Sequence, residues 1–129
     1  MKSKIATVAL LSALLSSCVT AEQATQMYGA QTPASPVIRA AIVEHVRNTF
    51  FDPYSIRDAE ISNQLRLSSL GVDVVCFKAN AKNRMGGYIG RKAVSVRIKD
   101  GKVNSWVEEA TGCSDPRLKY EPFPQLENL

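Results

Sequence analysis

Apolar positions along this chain change their period several times, and each change marks an element. Between Ser35 and Phe50, the residues Ile38, Ala41, Ile42, Val46 and Phe50 recur at steps of three and four, which predicts a helix with one apolar stripe. Ser35 is a natural N-cap, and Pro36 suits the first helical position. Phe50-Phe51 reads as a hydrophobic hinge, and Asp52-Pro53 as a turn. From there the period falls to two. Ile56 to Ile61 predicts a short strand, and Leu65 and Leu67 alternate with polar neighbours. Val72 to Asn80 is the most strand-like run. Val72, Val74 and Cys76 share one face and Val75, Phe77 and Ala79 the other, which predicts a central strand with a helix on one side. Val94, Val96 and Ile98 then point inward while Ser95, Arg97 and Lys99 point outward. Asp100-Gly101 is the strongest hairpin signal in the chain, and Val103 to Val107 returns as the partner strand. Three prolines (Pro116, Pro122, Pro124) predict an extended C-terminal tail laid over the domain. The expected fold is α+β, with one N-terminal helix packed on an antiparallel meander of three to five strands. It occupies a single domain over 36–129.

The chain's first residues follow a different rule. Lys2 and Lys4 precede an apolar run from Ile5 to Leu15, too short for the roughly 20 residues a bilayer-spanning helix needs. Charge, short apolar centre and small residues are the order of an export signal, here over 1–17. "LLSSC", Leu14 to Cys18, resembles the lipobox of bacterial lipoproteins. The resemblance implies cleavage before Cys18, lipidation of Cys18 and a membrane partner reached through that anchor. With Val19 rather than aspartate next, it implies the outer membrane, facing the periplasm. Residues 18–35 lack any apolar period and read as a flexible tether, holding the domain roughly 20 to 25 Å from the anchor.

Export also bears on the other cysteines. Cys76 and Cys113 remain, and in an oxidising compartment two such cysteines tend to pair. Roughly 90 ordered residues bury only about 60 to 65% of their surface, so a disulfide is useful and room for an enclosed substrate pocket is small. The other readings are a buried free thiol at Cys76 or a cysteine nucleophile served by His45, the sole histidine. At the edge of the helical stripe, His45 reads as a partly buried, hydrogen-bonded side chain. No repeated Cys or His spacing suggests a metal, and "MGGYIG" leads into a strand where nucleotide loops lead into a helix. No catalytic constellation, cofactor or metal site is expected.

Charge changes the picture more than composition does. Without Lys2 and Lys4 the chain has 14 basic against 12 acidic residues, a net of only +2. Yet from Lys78 to Lys102 eight cations face Asp100 alone. Lys82, Arg84, Tyr88, Arg91 and Lys92 form a candidate anion-binding set, with Arg97 and Lys99 expected beside them. Guanidinium groups and an aromatic ring suit phosphate or carboxylate. In a cell envelope this points to an anionic glycan or lipid, or to an envelope protein, and not to nucleic acid. The competing reading is a solvated face whose lysines discourage edge-to-edge strand pairing.

"DPYSIRDAEIS" followed by "VVCFKANAKNRMGGYIGRK" resembles small exported proteins of Gram-negative bacteria that carry Asp-Pro-x-Ser and later Val-Cys-x-x-x-Asn-Ala-Lys-Asn…Gly-Gly-Tyr-x-Gly. The matching positions are Asp52, Pro53, Ser55, Val75, Cys76, Asn80 to Asn83, Gly86 to Tyr88 and Gly90. The resemblance implies a common fold and names no reaction. Arg84-Met85 departs from the pattern, which there has a small residue and an aromatic.

Overall fold

A computed structural model describes residues 19–129, and the signal segment and Cys18 lie outside them. The fold is α+β. Helix α1 (Ala21–Gly29) comes first, then α2 (Pro36–Thr49), followed by a 3₁₀ turn at Pro53–Ser55. The strands are β1 (Arg57–Ser62), β2 (Leu65–Leu67), β3 (Val72–Asn80), β4 (Lys92–Lys99), β5 (Lys102–Glu108) and β6 (Tyr120–Pro122). A short helix, α3 (Pro124–Glu127), ends the chain.

All strand pairs are antiparallel, in the order β5-β4-β3-β1-β6, with β2 also on β3. β1 and β2 act as one strand broken at Asn63-Gln64. β1 pairs with the end of β3 at Phe77–Asn80 and β2 with its start at Val72–Val74. The meander therefore runs β1/β2, β3, β4, β5, and β6 returns to the free edge of β1. That makes six strands where the sequence predicts three to five. The addition is β6, whose three residues are too few to show a period; β2, also of three residues, coincides with the alternating Leu65 and Leu67.

β3 is central, as its two apolar parities require. Val75, Phe77 and Ala79 join Ile38, Ile42 and Val46 of α2, with Val94, Val96 and Ile98 of β4, in the main core. On the other face, Cys76 joins Leu65, Cys113 and Leu118 in a second cluster, against which Met27 and Tyr28 of α1 pack. Cys76 and Cys113 are bonded, their Cα atoms 5.6 Å apart, so the disulfide ties this second layer to the central strand.

Two expectations need correction. Residues 18–35 read as a flexible tether, but Thr20 caps α1 with a reciprocal box: its side chain accepts from Gln23 N–H, and Gln23 Oε1 accepts from Thr20 N–H. The segment is then held to the body. Gln31 donates to the Arg117 carbonyl and accepts from Lys119 N–H, and Thr32 pairs with Gln64. No residue of α1 is fully buried, and this is why it lacks an apolar stripe. The tail is not merely extended either. Pro122 ends an edge strand, Pro124 starts α3 at a position where no N–H is needed, and Phe123 and Leu126 are fully buried.

Candidate functional site

The loop between β3 and β4 is a built structure. Asn83 Oδ1 accepts from the N–H groups of Met85 (3.0 Å) and Gly87 (3.2 Å), while Asn83 N–H donates to the Gly87 carbonyl. Lys82 and Tyr88 form an isolated antiparallel bridge. Gly86, at φ +79°, holds the turn, and its neighbour Gly87 has no positive φ. Asn80 Oδ1 accepts from Gly90 N–H. The frame is locked to the turn after α2: Ser55 Oγ accepts from Lys82 N–H, and Tyr88 Oη donates to the Ser55 carbonyl at 2.7 Å. The residues that carry the second resemblance (Ser55, Asn80, Lys82, Asn83, Gly86, Gly87, Tyr88, Gly90) are thus largely those that bond this loop into shape.

Between the frame and the end of α2 lies a cleft of about 320 Å³. Phe50, Phe77, Ala79 and Val94 line its inner part, Phe51 and Ile89 its lips, and Lys82, Arg84 and Lys92 supply cations. Phe51 is 59% exposed and Ile89 56%. The Arg84 guanidinium lies 5.0 Å from the Phe51 ring centre, and Lys82 Nζ lies 5.7 Å from that of Tyr88. Among the described residues, neither Lys82 nor Arg84 pairs with a carboxylate, and Lys92 has a loose pair with Glu109 at 3.7 Å. Glu108 is the one acid lining the cleft.

The five expected anion-binding residues are therefore split. Lys82, Arg84 and Lys92 meet at the cleft. Arg91 instead pairs with Glu60 beside Asp58 and Pro122. Tyr88 has its ring under Arg57, whose guanidinium stands 3.6 Å from the ring centre, and its hydroxyl is occupied by Ser55. Arg97 and Lys99 do not join the set, because on β4 they alternate with Val94, Val96 and Ile98 and so face away from α2. Sequence reasoning missed Phe51, Ile89 and Arg57. Phe51 and Ile89 share a readable signal, an apolar side chain beside loop or turn residues where no strand period requires one.

His45 packs tilted against Trp106, ring centres 4.6 Å apart and planes at 42°, in an aromatic cluster with Phe50 and Phe77. Near the disulfide, Tyr120 Oη donates to the Cys113 carbonyl at 2.6 Å, and burial pushes its hydroxyl pKa up to about 12. Burial first, then the Asp115 carboxylate, raises that of Tyr28 as well. Hydrogen bonds from Arg117 hold Asp115 down at about 2, and the Arg117 guanidinium lies 4.2 Å over the Tyr28 ring. Among the described residues no group of three His, Cys, Asp or Glu side chains is placed to hold a metal ion, and no helix is long and apolar enough to cross a membrane. No family model, curated protein or solved structure matches this chain.

Proposed function

We propose that the chain is an exported lipoprotein, anchored through Cys18 to the outer membrane and facing the periplasm. Its small domain acts by binding an anionic envelope glycan or lipid and has no catalytic role. The observation that carries the binding half is the gathering of Lys82, Arg84 and Lys92 round one cleft, two of them without an acidic partner among the described residues. The disulfide supports the export half, since such bonds persist in oxidising compartments. It also occupies the one thiol that a cysteine nucleophile would use, which disfavours the enzyme alternative.

Only Val19 and Thr20 separate Cys18 from the first residue of the docked helix α1. Under this proposal the domain rides close to the bilayer, not 20 Å or more away. Metabolic labelling with an acyl-chain analogue, followed by fractionation, tests the anchor. Wild type should carry label and sediment with membranes, whereas Cys18→Ser should lose the label and stay soluble or accumulate uncleaved. An unlabelled wild-type protein would refute the anchor.

A further inference from the structure

The cleft has two chemistries that the fold does not require together. Its mouth leaves two large apolar side chains, Phe51 and Ile89, in water beside the buried Phe77 and Val94. Burying such groups is favourable, so their exposure at the rim of a concavity marks a surface with something left to cover. At the same rim stand Lys82 and Arg84, whose charged groups have cation–aromatic contacts as their only partners among the described residues. Both sit on a loop whose backbone is fixed by Asn83 and Ser55, so a ligand would not have to order the frame first. A purely polar sugar would leave Phe51 and Ile89 wet. A neutral apolar ligand would bury uncompensated cations.

We propose that this cleft binds an amphipathic anion, with its phosphate or carboxylate between Lys82 and Arg84 and a short acyl or aromatic group over Phe51 and Ile89. This deepens the binding half of the reading above and is independent of the anchor. A volume of about 320 Å³ is at the lower end of the roughly 300 to 1,000 Å³ usual for ligand pockets, so the cleft takes a head group and a short apolar segment, not a whole lipid. Glu108, at the exposed end of β5, also lines the cleft and disfavours an anion placed on that side. Lys92, already near Glu109, contributes less than the other two cations.

The protein contains its own reporter. Trp106, the sole tryptophan, lies 5.8 Å from Phe50 and 5.1 Å from Phe77, both of which line the cleft. Its emission would be followed in full-length protein, held in phosphatidylcholine nanodiscs with empty discs as the partition blank if wild type proves lipidated, and free in buffer if it does not. The probes are dihexanoyl phosphatidic acid, dihexanoyl phosphatidylcholine, phenyl phosphate and inorganic phosphate. Saturable binding of the dihexanoyl phosphatidic acid is expected, about tenfold or more tighter than that of the zwitterionic probe and of inorganic phosphate. Lys82→Glu with Arg84→Glu should weaken it about tenfold or more, and Phe51→Ser should weaken it separately. Near-ultraviolet circular dichroism of the Trp106 cluster checks that each variant is folded. No saturable response, equal binding of the zwitterionic probe, or equal binding of inorganic phosphate would each overturn the proposal. Phenyl phosphate distinguishes the sources: binding tighter than the acyl probe assigns a soluble aromatic anion, and weaker binding assigns a lipid. The Cys18→Ser labelling result is read separately, so failure of the anchor and failure of the cleft are distinguishable.

Discussion

Asp100 and Gly101 join β4 to β5 with φ of +52° and +74°, the pair of left-handed conformations that a type I′ turn demands. Gly101 has a second constraint. A Cβ added there would meet Val37 Cγ1 of α2 at 3.3 Å, so the tight turn also sets how closely the helix approaches the hairpin. Gly101→Ala should therefore destabilise the domain by about 1 to 2 kcal/mol, read as a lower urea midpoint with an unchanged slope. Tyr120 acts at the same scale through ionisation. Its pKa is raised from 10.0 to about 12, so the folded state holds the phenolic proton more tightly than the unfolded chain. That contribution is fully present below about pH 10 and is lost as pH rises through about 12. The raised Tyr28 adds in the same direction. Denaturation at pH values across this window should show stability falling with pH. Tyr120→Phe should flatten the fall while costing about 1 kcal/mol at neutral pH for the lost hydrogen bond to Cys113.

At the scale of elements, the two helices are held by different means. α2 is secured by its stripe, which buries Ile38, Ile42 and Val46 against β3 and β4, and this is why its period is plain in the sequence. α1 is secured by a capping box, by Met27 and Tyr28 on the disulfide cluster, and by Gln31 reaching two backbone groups 86 and 88 residues on. Sequence spacing cannot show contacts of that separation. The disulfide plays the same role for the 3₁₀ turn at Thr111–Ser114, which it fixes to the central strand. Cys113→Ala, with Cys76→Ala to avoid a stray thiol, should lower stability by roughly 3 to 4 kcal/mol, checked by chemical denaturation of oxidised wild type against the double variant. The edge strand β5 is guarded in two ways. A register shift against β4 lies between Arg97 and Ile98, and Lys99 and Lys102 flank the turn, so lysines and irregularity together discourage pairing with another chain. That part of the basic hairpin therefore needs no ligand to account for it. The cations at the cleft are a separate group.

At the scale of the whole molecule, the chain's own pattern determined the α+β class, α2 with its N-cap, the four main strands, the Asp100-Gly101 hairpin and the central place of β3. These are legible because each is set by a period or a turn residue within a dozen neighbours. The candidate site was legible only as a composition. A basic, glycine-containing loop could be read from Asn80 to Lys92, but which cations meet depended on the two-residue alternation of β4 and on where α2 ends. Those sent Arg91 to Glu60, turned Arg97 and Lys99 to the far face, and left Lys82, Arg84 and Lys92 around Phe51 and Ile89. Tertiary structure alone also decided that 19–35 docks and that Phe123 and Leu126 fill the core. The reason is common to all of these: the partners lie tens of residues apart in sequence, so their meeting is fixed by sheet topology and layer packing, for which a local pattern of polar and apolar residues has no term.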